Sequence, residues 1–355
     1  MELDPADPSP GPLDETSAAL PAPAAAALPP GLDGIERLEA YARAARGAFA
    51  PNTVRALAAD GRIFSDWCRA NGLTMLPASP ATVADFIDAQ AEAKSRATVE
   101  RYRSSIAMLH RAAGLANPCT DELVRLAMKR MSRAKGRRQK QAEPLNRPSI
   151  DRMLTVKATE RLHRRVAEAG RAVPLIALRN AALVAVAYDT LLRRSELVSL
   201  RIEDLERAQD GSGTILVRRT KTDQEGEGAV KYLAPDTIAH VEAWLAAAGL
   251  AQQQGPLFRP VTKGGRAGEA ALGDAEVYRI YRAIAAAAGV KLARPPSGHS
   301  TRVGATQDMF AAGFELLEVM QAGSWKTPAM PARYGERLRA QRGAARKLAT
   351  LQNRA

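Results

Sequence analysis

A chain of 355 residues has the length of roughly two ordinary domains, each able to bury its own core. Its 51 lysines and arginines outnumber 38 acids to give +13, and because residues 1–33 hold six acids and no base, the remainder carries +19. That balance suits a polyanion such as nucleic acid, with a merely soluble basic protein as the alternative. Cys68 and Cys119 lack the spacing of a metal site and the density of a disulfide scaffold, so both are expected to be packing residues in a reducing, cytoplasmic setting. No window reaches the ~18–20 apolar residues of a membrane span. The acidic, proline-broken start does not read as a signal peptide.

Residues 1–33 contain eight prolines and no aromatic residue, and the expectation is a disordered acidic Pro/Ala-rich tail. Residues 34–131 read as an all-helical domain. Asn52 or Thr53 opens a helix that stops at Gly72, and Ser79-Pro80 marks the next start, with proline in a first turn that needs no N–H. A third helix runs from about Ala97 to Gly114, and Thr120 is expected to cap a fourth reaching about Met131. Arg96, Arg101, Arg103, His110 and Arg111 crowd the third helix, as a face for DNA or as a solvated surface. Residues 132–148, with Arg133, Lys135, Arg137, Arg138, Lys140 and Arg147 against Glu143 alone, read as a basic linker able to track a phosphate backbone.

A second domain, 149–355, follows. Val173 to Leu191 is apolar nearly all round and is expected to be its buried central helix. Thr214 to Arg219 reads as a strand by its β-branched content, Thr220 to Gly228 as a loop, and Ala229 to Ala234 as a returning strand. Helices are expected at about Pro235 to Ala248, Asp274 to Ala288, Ser300 to Ala312 and Phe314 to Gln321, with short ones flanking Tyr334. The fold class is therefore mainly α with a small β-sheet.

Four places along this second domain carry chemistry. Arg193 leaves the end of the buried helix with Glu196 three residues on, able to orient its fork; a surface ion pair is the plainer reading. Lys221 lies just past a strand in a loop bearing Asp223, Glu225 and Glu227, either as a proton donor reaching DNA or as a solvated hairpin lysine. His299 and Arg302 stand one helical turn apart. Trp325 and Tyr334 then add an indole N–H and a phenol, a donor and a potential nucleophile. The set suggests phosphoryl transfer without metal or cofactor, since no His/Cys/Asp/Glu cluster has ligand spacing.

The sequence here resembles the tyrosine site-specific recombinases, or phage integrases. The resemblance is carried by Ala187-Tyr188-Asp189-Thr190-Leu191-Leu192-Arg193, Arg219-Thr220-Lys221-Thr222, Gly298-His299-Ser300-Thr301-Arg302-Val303-Gly304-Ala305, Met320-Gln321-Ala322-Gly323-Ser324-Trp325 and Tyr334, and it extends to Met108-Leu109-His110-Arg111. It implies a C-shaped DNA clamp, with a helical core-binding (SAM-like) domain and an α+β integrase-type catalytic domain. The implied roles are Arg193 and Arg302 on the scissile phosphate, Trp325 donating to it, His299 assisting proton transfer, and Glu196 supporting the site. Lys221 would be the acid for the leaving 5′ oxygen, and Tyr334 the nucleophile giving a 3′-phosphotyrosine. The implied partners are double-stranded DNA with inverted-repeat target sites and three further copies of the chain, as a homotetramer on two duplexes. Glu336 to Leu351 is expected to dock on a neighbouring copy or pack on its own domain. A type IB topoisomerase-like relaxing enzyme and a non-catalytic DNA-binding protein are the rival readings.

Overall fold

The computed structural model describes residues 34–136, 138, 140–155, 175–220 and 227–354, and the chain divides into two compact units, Met1–Gln139 and Lys140–Ala355. The expected tail, 1–33, lies outside the described residues.

In the first unit the described residues form helices α1 (Gly34–Ala44), α2 (Pro51–Ala70), α3 (Pro80–Ala93), α4 (Arg96–Ala112) and α5 (Glu122–Lys135). Local chemistry sets their starts. Ser79 Oγ accepts the Thr82 N–H at 3.0 Å with Pro80 in the first turn, and Ser95 Oγ accepts that of Thr98 at 3.2 Å. The cap of α5 is Asp121, whose carboxylate accepts the Leu123 N–H at 2.8 Å, and not Thr120, which ends a preceding 3₁₀ turn. The core gathers Phe64, Phe86, Ile87, Val99, Tyr102 and Ile106, with the Phe86 ring centroid 5.0 Å from that of Phe64 and 5.3 Å from that of Trp67.

Two of the basic residues assigned to the face of α4 turn inward. His110 is buried, accepts the Ala78 N–H on Nε2 at 2.9 Å and donates from Nδ1 to the Ile106 carbonyl at 2.9 Å, and burial lowers its pKa. Arg101 pairs at 2.6 Å with the buried carboxylate of Asp60. For His110 this follows from phase: Tyr102, Ile106 and His110 stand four residues apart on the core side of one helix. Cys68 and Cys119 are buried and free.

In the second unit α6 (Arg147–Leu154) and α7 (Leu175–Thr190) pack together, and α7 is buried on nearly all sides, which accounts for its lack of a polar stripe. Short α8 (Arg194–Val198) follows. An antiparallel sheet runs β1 (Leu205–Arg207), β2 (Gly213–Val217), β3 (Ala229–Leu233), with Ile215 opposite Lys231 and Leu216 opposite Val230. Then come α9 (Pro235–Ala247), α10 (Asp274–Ala287), α11 (Ser300–Ala312), α12 (Leu316–Ala322), α13 (Ala329–Tyr334), α14 (Glu336–Arg342) and α15 (Ala344–Leu351). Helices with one small sheet are the expected class, although β1 is an addition.

The basic stretch 132–148 divides at the unit boundary. Helix α5 takes it to Lys135, while from Lys140 the chain belongs to the second unit. There Leu145 is fully buried and its N–H donates to the Ser300 carbonyl at 2.9 Å. The Leu145 carbonyl oxygen stands 1.9 Å from where a Cβ on Gly304 would lie, so only glycine lets this strand of chain cross α11. Asp308 closes the contact, accepting the Arg147 N–H and the Tyr188 hydroxyl, each at 2.6 Å.

Candidate active site

Arg193 sits where α7 ends and α8 begins. Glu196, in the first turn of α8, accepts from the Arg193 backbone N–H and from its Nη1, each at 2.9 Å, so one buried carboxylate fixes both ends of the same residue. The neighbouring Arg194 instead reaches Asp274 at 3.2 Å, which separates the two adjacent arginines by partner and direction.

Arg302 lies in the first turn of α11 and is 2% exposed. Its Nη1 donates to the Leu191 carbonyl and its Nη2 to the Gly323 carbonyl, the latter at 2.8 Å. Both turns it joins are strained: Leu191 and Ser324 hold φ of 53° and 51°, a left-handed backbone that costs a non-glycine residue ~1–3 kcal/mol. Leu191 leads into Arg193 and Ser324 into Trp325. One guanidinium therefore anchors both the segment that leads to Arg193 and Glu196 and the segment that leads to Trp325. Its carbon is 4.0 Å from the centre of the Trp325 ring, a cation–π contact, and that ring meets Tyr334 edge-on at 6.0 Å and 73°.

Tyr334 ends α13 half-buried, and its carbonyl accepts from the side-chain amides of Gln307 at 3.2 Å and Gln141 at 3.4 Å. His299 precedes α11. Its N–H donates to Ser297 Oγ at 3.3 Å, while the Ser297 N–H donates to Ser300 Oγ at 2.8 Å, so a small reciprocal turn sets the direction of the imidazole's backbone. Lys221 lies outside the described residues. The structure thus brings Arg302, Trp325 and Tyr334 into direct succession, ties them to the Arg193–Glu196 pair through Leu191, and places His299 one turn from Arg302. Among the described residues no three His, Cys, Asp or Glu side chains converge as a metal site would require.

Sequence reasoning missed one charged group at this site, Lys231. It is 6% exposed, and its Nζ donates to the Ala322 carbonyl at 2.5 Å and to Ser324 Oγ at 2.6 Å. Burial, and next the Arg302 charge, lower its pKa to about 8, with Glu196 acting the other way. The missed signal is strand phase: Lys231 shares a face with the core residue Leu233.

In the first unit, Arg96, Arg103, Arg125, Lys129 and Arg133 line a groove between α4 and α5 together with Glu100 as its one acid. That cationic surface suits a phosphate backbone.

Comparison with known proteins gives the family. Residues 152–340 match the phage integrase family. The chain is 31% identical over 313 residues to the recombinase cre of Escherichia phage P1, covering 84% of this chain and 88% of that one. It is 32% identical over 296 residues to an integrase/recombinase xerD homolog of Selenomonas ruminantium, covering 81% and 82%. In fold it is similar to the Tn1549 transposon integrase solved with transposon right end DNA, with a TM-score of 0.57 at 14% identity, covering 88% of this chain and all of the other. On this footing the chain belongs to the phage integrase family, the tyrosine site-specific recombinases.

Proposed function

We propose that this chain is a site-specific DNA recombinase in which Tyr334 attacks the scissile phosphate while Arg193, His299, Arg302 and Trp325 stabilise the charge that develops there. The observation that carries the assignment is the succession from Arg302 through Trp325 to Tyr334, in which a buried, doubly anchored guanidinium lies one aromatic ring away from a phenol. An anchored cation needs no reorganisation as charge grows on the phosphate oxygens, which is where electrostatic catalysis gains most. Glu196 holds the second guanidinium in orientation.

In the reaction the Tyr334 oxygen bonds to phosphorus and the bond to the 5′ oxygen breaks. The phenol gives up its proton with His299 assisting, and Lys221 protonates the departing oxygen. The 3′-phosphotyrosine conserves the ester, so the 5′ hydroxyl of a partner strand can reverse the step. That exchange distinguishes a recombinase from an enzyme that only relaxes DNA.

Two target sites with inverted repeats would each hold two copies, making a homotetramer on two duplexes. Helix α15 supports such an assembly by leaving Leu348 and Leu351 51% and 82% exposed. The groove of the first unit would take the backbone of the duplex. DNA as substrate sets the proposed location, the cytoplasm at the nucleoid, and no described helix is long and apolar enough to cross a membrane.

The deciding experiment incubates the chain with a nicked duplex carrying its site, so that cleavage releases a short strand and traps the covalent complex. A stable adduct mapped to Tyr334 supports the assignment. An adduct on another residue would overturn it.

A further inference from the structure

Among the buried cations that this scheme leaves unused, Lys231 is the one that bonds to the turn carrying Trp325. Along β3 the neighbours Val230 and Tyr232 face outward at 65% and 59% exposure, while Lys231 points inward beside Leu233. An ammonium so placed is unfavourable unless its donors are satisfied by well-placed acceptors. Its acceptors are the Ala322 carbonyl, at the end of α12, and Ser324 Oγ. Between them, the Gly323 carbonyl accepts from Arg302. Three consecutive residues are therefore gripped by two cations from different elements, β3 and α11. The segment so gripped includes the left-handed Ser324 and delivers Trp325 onto the face of Arg302.

We propose that Lys231 is a positioning residue, whose two hydrogen bonds fix the Ala322–Ser324 turn and thereby hold Trp325 against Arg302. It need not touch DNA, because it acts through the turn. Its place at the end of α12 also suits a cation, since the helix dipole and terminal carbonyls favour positive charge there. The purpose of holding Trp325 rests on the function proposed above, whereas the clamp itself is a statement about geometry in the DNA-free protein. A lysine that merely filled space would affect folding and leave the setting of Trp325 unchanged in any variant that folds.

The test uses the full chain labelled with 5-fluorotryptophan, whose three tryptophans, Trp67, Trp244 and Trp325, give three fluorine resonances, with Trp325→Phe for assignment. Lys231→Met keeps much of the side-chain length without the charge, and Ser324→Ala removes a single acceptor. Both should move or broaden the Trp325 resonance and leave those of Trp67 and Trp244 in place. At saturating nicked DNA, single-turnover cleavage should slow by at least ~10-fold for Lys231→Met and several-fold for Ser324→Ala, with DNA affinity within about twofold. The double variant should be no slower than Lys231→Met alone, because both changes release the same turn.

A Trp325 resonance that stays put in the folded variants, or losses that multiply in the double variant, would overturn the proposal. Should Lys231→Met disturb all three resonances, Ser324→Ala decides, and wild-type cleavage with an unmoved Trp325 signal refutes the clamp. A wild-type chain that forms no adduct refutes the proposed function instead, while the fluorine spectra still judge the clamp.

Discussion

The guanidinium of Arg302 donates to the carbonyl of Leu191, a residue held at φ 53°, across 111 positions of sequence. With its second donation to Gly323, this makes Arg302 both an anchor of backbone and a candidate phosphate ligand. Arg193 has a different attachment, to the side chain and helix turn of Glu196. The two arginines should therefore separate when each is replaced by lysine. A lysine at 302 cannot reach both carbonyls in the same fork geometry and leaves a buried acceptor unmet, a loss of ~1–3 kcal/mol. Melting of the second unit should fall by several degrees, at ~2–4 °C per kcal/mol. Arg193→Lys should melt close to wild type, and both should slow cleavage by roughly 10²-fold or more. An unchanged melting temperature for Arg302→Lys would contradict the anchoring.

Tyr334→Phe removes one oxygen from a residue held through its ring and its carbonyl, at Trp325, Gln307 and Gln141. The variant should fold and bind DNA within about twofold of wild type, and it should form no covalent complex on a nicked site. Gel shift and denaturing electrophoresis on one sample read both quantities. Covalent trapping by the variant would remove Tyr334 from the reaction.

Two glycines mark places where backbone or ring passes too close for any side chain. A Cβ at Gly304 would stand 1.9 Å from the Leu145 carbonyl oxygen, and one at Gly323 would stand 1.8 Å from the Trp325 ring. Gly304→Ala must push the Leu145 segment off α11, at a cost of ~1–3 kcal/mol, and should lower the denaturant midpoint of the second unit. Gly323→Ala should leave that midpoint nearer wild type and displace Trp325, cutting cleavage with little change in DNA affinity. Identical unfolding and identical cleavage in the two variants would mean that these contacts do not separate fold from site.

The sequence made legible what is local. Ser79-Pro80 announced a helix start because a cap and a first-turn proline act within four residues, and Arg193 with Glu196 announced their pairing by helical spacing. The α4 basic residues were harder, because charge suggested a solvent face while the four-residue step from Tyr102 through Ile106 put His110 in the core. Lys231 failed for the same reason, since composition assigns lysine outward and only the alternation toward Leu233 assigns it inward. Strand β1 is three residues long, too short to show any period. The link from Arg302 to Leu191 and Gly323 was not readable at all, since it depends on where two distant turns meet.

The Lys231 ammonium faces Arg302 from α11, Glu196 from α8 and the Ala322–Ser324 turn. Burial and the Arg302 charge lower its pKa to about 8, so its charged form is complete well below that pH and declines as pH rises through it. Hydrogen bonds from a cation are roughly twice as strong as neutral ones, so the grip on the turn should slacken on the alkaline side. The fluorine resonance of Trp325 should shift with a midpoint near 8, and in Lys231→Met that transition should vanish. A resonance independent of pH from 6 to 9.5, or an equal transition in the variant, would assign the titration elsewhere.

Two lysines now have distinct roles that one substrate can tell apart. Lys221 is the proposed proton donor to the departing 5′ oxygen, and Lys231 is the proposed support of Trp325, which no proton transfer involves. Replacing the bridging 5′ oxygen with sulfur gives a leaving group that departs as a thiolate and needs no acid. Lys221→Ala should be severely slowed on the ordinary phosphodiester and recover toward wild type on the sulfur substrate. Lys231→Met should be slowed on both by a similar factor, because the setting of Trp325 toward the nonbridging oxygens matters whatever atom departs. Recovery of Lys231→Met with sulfur would make Lys231 the acid, and failure of Lys221→Ala to recover would leave Lys221 as a DNA-binding or positioning group only. Measured side by side in single-turnover cleavage of nicked DNA, the four rates assign each lysine without reference to the other's fold or affinity.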